Sequence, residues 1–502
     1  MGSDRRDWRD RLPAAKRRRL ADRLLSILPA PRPHARGAVT PLRVRHGRPP
    51  GPEQVAEELR GRPGFAWLDV GGDGGGVHRL YTAPLALLST RRGKATVTGP
   101  AGKVSFAASG FDLLEVAFAA WGGPARAVLV GYLGYELGAE IEEVSPSPAS
   151  LEDDLGVPDL WLGLYPSALS WDGQSWTLES TDAWSGISPG IEPGDPVHAA
   201  EKILLAARSR PVPEVTSERL ATSPVISRPT RTGFEAGVER SVERIRSGEI
   251  YQVNLCRRIE TELPAERIPD LYRRLRAVSP ADHGAFLDLG VNQALLSVSP
   301  ELFLSVRDGE VETRPIKGTR PRGADPRDDR ALARELSESV KDRAELTMIV
   351  DVARNDLGRV CEPGSIEVLR HAELVTLPTL HHTISTIRGR LLPRGPERAV
   401  ELLRASFPPA SITGAPKIRA MAVAAAEEEV RRGPAMGAVG WISLGGDLEL
   451  SVAIRTAVAA HGRVAYHAGC GIVADSDPEL EYEESAVKAR AFLTALGAAE
   501  IG

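Results

Sequence analysis

The chain has 502 residues, 42% apolar and 26% charged, with a formal net charge of −4. That is enough for one large or several smaller soluble domains, and it leaves no global basic field for nucleic acid. No apolar run reaches the length of a membrane span, and Cys256, Cys361 and Cys470 lie too far apart for a disulfide framework or a zinc-type motif.

Residues 1–45 are basic and Pro/Arg-rich, and partial disorder is expected there. "KRRRL" at 16–20 invites a nucleic-acid reading, but Asp7, Asp10 and Asp22 interrupt the positive charge, so a frayed amphipathic helix is expected. The opening segment lacks the uninterrupted apolar core of a signal peptide, which predicts a cytoplasmic protein. Residues 46–205 form the first expected domain, with the strand-like runs "GFAWLDV", "ARAVLVGYLGYEL" and "LWLGLYPSALSWD". "SGISPGIEPGDP" (185–196) is a loop by composition, and 206–231 is the expected linker.

From 232 to 495 a second domain is predicted. "ELFLSVRDGEVETRPIK" (301–317) reads as a β-hairpin turning at Asp308-Gly309. Counting outward, Glu301 falls opposite Ile316 and beside Lys317. A bulge or a splayed end is needed before both side chains can face one cavity. The helix "KDRAELTMIVDVARND" (341–356) carries Asp342 and Glu345 on one face, with Glu345, Ile349 and Val352 forming a stripe. "LHHTIS" (380–385) places His381 and His382 on opposite faces of a strand. "SITGAPKIRAM" (411–421) is a small-residue loop entering a helix, a weak anion-site signal. "AVGWISLGGDLELSVAIRTAV" (438–458) and "RVAYHAGCGIV" (463–473) read as a meander. "SDPELEYEESAVKA" (476–489) opens a helix with Asp477 as N-cap, Pro478 in its first turn, and Glu481 and Glu484 three apart.

Two carboxylate pairs on two helices can hold one hard divalent cation. Solvated surface pairs satisfy the same spacings, with Lys341 or Arg343 as partners to the first. The predicted fold class is α+β, with large antiparallel β-sheets forming a sandwich flanked by helices.

The blocks "GEIYQVNLCRR", "SPELFL", "RPIKGTRPRG", "KDRAELTMIVDVARNDLGRV", "LHHTIS", "SITGAPKIRAM", "AIRTAV" and "GCGIVADSDPELEYEESAVKA" occur in that order between 232 and 492. In wording and order they closely resemble the chorismate-utilising enzymes, which include component I of anthranilate synthase and of aminodeoxychorismate synthase, isochorismate synthases and salicylate synthases. Residues 50–180 resemble that family's N-terminal domain more weakly.

The resemblance implies a reaction and a set of roles. Gln252 stands where water-activating relatives carry a lysine base, and glutamine has no basic site. Lys317, in "PIKGT", matches many aminodeoxychorismate synthases, whereas anthranilate synthases read "PIAGT". In that branch the lysine attacks C2 of chorismate, displaces the C4 hydroxyl, and is itself displaced when ammonia attacks C4. This requires a neutral lysine, which burial and nearby arginine charge favour. Glu301 matches the general acid and His382 the active-site histidine. Glu345 and Glu484 would bind Mg²⁺, supported by Asp342 and Glu481. Arg455, Lys488 and the Gly469–Gly471 backbone would grip carboxylates, with Ser411 and Thr413 near the ring, while Thr319 and Arg320 flank the lysine.

Departures occur at Ala435-Met436, at Cys470, and at "LDV" (68–70), which lacks the serine of feedback-regulated relatives. None of the three cysteines has a glutaminase setting, so ammonia from a separate glutamine amidotransferase subunit is expected. Anthranilate synthase component I is the rival reading.

Overall fold

The computed structural model describes all residues except 1–11, 33–34, 44–47, 70–75, 124–126, 185–194, 213, 217, 377–379, 394 and 500–502. Most of "SGISPGIEPGDP" and Val70 of "LDV" therefore lie outside the described residues. Two sheets of 12 strands each, with antiparallel strand pairing, dominate the architecture. Each draws strands from both sides of 206–231. In the first sheet Ala66–Asp69 pairs with His283–Gly290, and in the second Val128–Leu133 pairs with Ala438–Ser443.

The sheets pack face to face through Ala66, Tyr81, Ala285, Leu287 and Leu295 of one against Val130, Tyr132, Trp161 and Val439 of the other. Helices cover both outer faces. Along Val128–Leu133 the alternation is direct: Val130 and Tyr132 point between the sheets, while Leu129 and Leu133 join the core under the outer helices. A strand buried on both faces has no polar phase, which is why this segment reads as one continuous apolar run. The helix at Ala14–Leu25 also packs, burying Leu20, Ala21 and Leu24, so "KRRRL" lies on a docked helix. Ile226–Arg228, within the expected linker, pairs with the strand Gln252–Glu262. No helix among the described residues is long and apolar enough to cross a membrane.

The predicted hairpin forms, with Asp308 and Gly309 both at positive φ (51° and 84°), as a two-residue type I′ turn requires. Its register then slips. Arg307 pairs with Glu310, but Leu302 pairs with Arg314, so Ile316 is not the ladder partner of Glu301. The returning strand breaks at Pro315, which has no N–H to offer, and resumes as Ile316–Pro321 against Leu380–Arg390. The predicted meander is also corrected. Ala438–Ser443 and Leu448–Val452 belong to the second sheet, but Thr456–Ala460 and Arg463–Ile472 belong to the first.

The chain therefore changes sheets twice at one place. It crosses once between Ser299 and Leu302, with Glu301 at the crossing. It crosses again between Val452 and Thr456, where Arg455 adopts a left-handed φ of 49°. The crossings are tied together, since the Val452 N–H donates to the Glu301 carbonyl at 3.0 Å and the Ser299 hydroxyl to the Val452 carbonyl at 2.6 Å.

Arg432 fixes the neighbouring loop. It is 1% exposed and bonds Glu428 through two nitrogens, the Ile412 carbonyl at 3.0 Å and the Asn254 carbonyl at 2.7 Å, while lying over the Tyr135 ring. Arg432→Met leaves the Glu428 carboxylate buried without its cation. The expected loss is roughly 3–5 kcal/mol in equilibrium denaturation, and a loss below about 1 kcal/mol would contradict this account.

Candidate active site

The two crossings, the end of Arg463–Ile472, the start of Gln252–Glu262 and the first turns of two helices converge on one cluster of charged and polar side chains. Glu301 is buried there, at 4% exposure. Burial pushes its carboxyl up to about 7, against the Ser411 hydroxyl, the Lys317 charge and the Ile316 backbone N–H, which all pull it down. Glu301 thus reaches the next strand by its side chain instead of through the ladder.

Lys317 is half-buried, and its charge is felt at Glu301, Glu345 and Glu484. The arginines of "RPIKGTRPRG" do not surround it: Arg314 pairs with Glu312, Arg320 with Glu335 and Asp342, and Arg322 with Asp329. The expected arginine environment is replaced by carboxylates. The local backbone is set by Gly318, at φ 77°, in a bulge where Lys317 pairs with Thr383 and Thr319 with His382. A Cβ at 318 would meet Leu336 Cδ1 at 2.7 Å and Asp342 Cγ at 3.0 Å. Glycine thus lets the strand press against the helix that carries Glu345.

His382 is 2% exposed, and its Nδ1 lies 2.9 Å from the Thr319 hydroxyl. Burial, and then the Arg455 charge, push its imidazole down to about 4, so the ring is neutral near pH 7. Its Nε2 is buried without a protein partner, as is Gln252 Oε1, while Gln252 Nε2 lies 3.5 Å from Glu345. Buried orphan polar atoms beside such a cluster call for a partner that binds there. Arg455 is half-buried, its guanidinium pushed down by burial.

The two acidic helices form as predicted. Val340–Gly358 is capped by the Ser339 hydroxyl and Pro478–Leu496 by the Asp477 carboxylate. On the first, the buried stripe is Leu346, Ile349, Val350 and Leu357, with Val352 only half-buried. Glu345 is half-buried and its carboxyl is raised by burial, against Lys317 and Lys341. The Glu484 side chain is 49% exposed; partial burial raises its carboxyl, but Lys488, at 2.7 Å, with Lys317 and Lys341 outweighs this and holds it below its usual range. Glu481 is buried and takes a 2.6 Å hydrogen bond from Ser476. Asp342 turns to Arg320 at 3.3 Å.

Ligand atoms of Cys470, Glu481 and Glu484 lie within 4.8 Å of one another. The Cys470 thiol bonds the Glu481 carbonyl and is pushed well up by burial, so it offers no thiolate. The remaining donors are the carboxylate oxygens of Glu481 and Glu484, both on Pro478–Leu496, with Glu345 of the other helix near enough to feel the Glu484 charge; oxygen donors of this kind fit a hard divalent cation.

The two site glycines differ. A Cβ on Gly469 would stand 2.3 Å from the Leu255 carbonyl oxygen, whereas a Cβ on Gly471 would meet Gln252 Nε2 at 2.3 Å and Lys317 Nζ at 3.3 Å. Gly469→Ala is expected to destabilise the fold by about 1–3 kcal/mol through backbone overpacking. Gly471→Ala is expected to keep the melting temperature and lose activity at least about tenfold. The reverse pattern in melting and turnover would overturn the distinction. The Gly469 carbonyl accepts from Lys488 Nζ at 2.9 Å. The Thr413 hydroxyl donates to the Pro409 carbonyl and is not among the groups on Glu301.

The site includes one residue the candidate set lacked, Lys341, and one mislabelled environment, that of Lys317. The signal for Lys341 was present: a lysine in the first turn of a helix opposes the helix dipole and calls for a local counter-charge. Asp69 of "LDV" is 2% exposed and is engaged by His78, Arg276 and Tyr272.

Residues 74–494 match the family described as chorismate binding enzyme. Over 364 residues the chain is 39% identical to aminodeoxychorismate synthase component 1 of Salmonella typhimurium, covering 72% of this chain and 75% of that one. Over 402 residues it is 38% identical to anthranilate synthase component 1 of Streptomyces coelicolor, covering 75% and 74%. The crystal structure of anthranilate synthase component I from Streptococcus pneumoniae superposes with a TM-score of 0.69 at 29% identity, covering 83% of this chain and 92% of that one. The match spans both halves and both sheets, and the chain belongs to the chorismate binding enzyme family: it is a chorismate-utilising enzyme.

Proposed function

We propose that the enzyme aminates chorismate to 4-amino-4-deoxychorismate, with Lys317 as nucleophile and ammonia delivered by a separate glutamine amidotransferase. The observation that carries the reading is a lysine amine packed against Gly471, its charge acting on a carboxyl raised to about 7. The free amine of Lys317 forms a bond to C2. The electron pair moves round the ring and expels the C4 hydroxyl, which takes the Glu301 proton and leaves as water. The adduct nitrogen then gives its extra proton to the Glu301 carboxylate. Ammonia attacks C4, the electron pair returns, and the C2–N bond breaks as the Lys317 nitrogen takes the proton held by Glu301 and leaves as the free amine; the new C4 ammonium then gives its extra proton to the Glu301 carboxylate. The net change is loss of water and gain of ammonia.

Gln252 cannot serve as a base for water attack at C2, which disfavours isochorismate chemistry. Arg455 and the Gly471 backbone bind substrate carboxylates, and neutral His382 offers Nε2 to the substrate. Glu345 and Glu484, with Asp342 and Glu481, would hold Mg²⁺, which when bound supplies positive charge for the ring carboxylate. The three cysteines are buried and their thiols are raised, Cys256 to about 12 and Cys361 to about 11. None is a glutaminase nucleophile, which supports a separate ammonia donor.

The test is the purified chain with chorismate, Mg²⁺ and ammonium salt, the product identified by mass and fluorescence. Aminodeoxychorismate is the expected product. Anthranilate would transfer the assignment to anthranilate synthase component I, a reading favoured by the Streptomyces coelicolor relative.

A further inference from the structure

Three lysines face the carboxylates of the two acidic helices. Lys488 is held at two points, by Glu484 at 2.7 Å and the Gly469 carbonyl at 2.9 Å. Lys317 is anchored on a strand, and its charge acts on Glu301 as well as on Glu345 and Glu484. Lys341 differs from both. It sits second in the helix Val340–Gly358, where the dipole disfavours a cation, and four residues before Glu345, the weaker order for a lysine–glutamate pair. On that helix end only the neighbouring carboxylates Asp342 and Glu345 favour it. Across the gap its ammonium lies 3.6 Å from Glu481, and its side chain is 52% exposed, so it can leave by rotating its own stem.

We infer that Lys341 is a tethered counter-ion that occupies the field of the four-carboxylate cluster until a divalent cation displaces it. The inference rests on the metal reading above. Asp342, Glu345, Glu481 and Glu484 all act on Lys341, and burial opposes its charge. Every group that could hold the ammonium there belongs to the proposed cation set. A divalent ion and the Lys341 ammonium therefore compete for the same oxygens. The competition sets a threshold: the metal-free site stays charge-balanced and folded, and the cation binds weakly until substrate carboxylate adds negative charge. Lys341 is a positioning residue, acting on the carboxylates and not on the substrate.

The probe is Mn²⁺ alone, without chorismate, titrated into metal-free full-length enzyme and followed by electron paramagnetic resonance. Lys341→Gln is expected to tighten the Mn²⁺ Kd about tenfold at low ionic strength, as removal of one nearby positive charge predicts. The gain should shrink as salt rises. Lys341→Arg keeps the charge and is expected to stay near wild type. The metal-free Lys341→Gln protein should melt lower than wild type and recover with Mn²⁺. An affinity within twofold of wild type, or weaker, in Lys341→Gln would overturn the inference. Glu484→Gln separates the two readings. If it weakens Mn²⁺ binding while Lys341→Gln changes nothing, the metal site stands and the counter-ion role falls. If it leaves binding unchanged, both fall. Product identity is independent of all these outcomes.

Discussion

Lys317→Ala is expected to lower kcat/KM for ammonia-dependent amination at least about a thousandfold while chorismate still binds. The decisive companion is Lys317→Arg. Were Lys317 only a counter-ion for Glu301, Glu345 and Glu484, arginine would keep the charge and most of the rate. A nucleophile must lose its proton, and a guanidinium does not do so in a protein. Both variants are therefore expected to be equally inactive. Withholding ammonia gives a second readout: the wild-type chain should gain the mass of chorismate less one water, located at Lys317 by peptide mapping. Full activity in Lys317→Arg, or an adduct elsewhere, would remove Lys317 from the mechanism.

Glu301→Gln is expected to cost about 10²–10⁴-fold in kcat, the usual weight of a positioned general acid. The sign of the pH effect follows from the raised carboxyl. Below about pH 7 Glu301 keeps its proton and can give it to the departing hydroxyl, and above that pH it is increasingly a carboxylate. The rate should fall as pH rises through 7, and Glu301→Gln should lose that descending limb along with most of its activity. A wild-type profile flat between pH 6 and 9 would exclude Glu301 as the acid. Its raised carboxyl also works against the fold. The folded chain binds this proton more tightly than the unfolded one, so the Glu301 contribution to stability declines as pH rises from about 4.5 to 7.

Features set by local chemistry were legible in the sequence. The Asp308-Gly309 turn, the Asp477 cap and the pairing of Glu481 with Glu484 on one helix depend on residues within a few positions of one another. What escaped depends on distant partners. Nothing around Pro300 or Ile454 announces that the chain leaves one sheet for the other there, because the change is set by which strands lie alongside. The single-residue slip that moves Glu301 off Ile316 arises between Leu302 and Ser305, where Leu302 pairs with Ser451 and Ser305 with Glu449. The arginines beside Lys317 were read as its neighbours because they adjoin it in sequence. Each instead finds a carboxylate of its own, which no spacing rule records. The family resemblance supplied residue roles, but not the carboxylate field in which Lys317 and Lys341 sit.

The sharing of both sheets by early and late segments also imposes an order in time. Val128–Leu133 leaves the ribosome about 300 residues before its partner Ala438–Ser443 exists. At about 5–20 residues per second the delay is roughly 15–60 s. During that interval a strand destined to be buried on both faces has one bare edge and no finished sandwich to enter. The same holds for Ala66–Asp69, which awaits His283–Gly290. The active site, built where the chain passes between the two sheets, can close only after synthesis is almost complete. A cell making this enzyme must shield an apolar half-sandwich for that time, and the yield of active protein should depend on translation speed and chaperone supply more than on the stability of the finished fold.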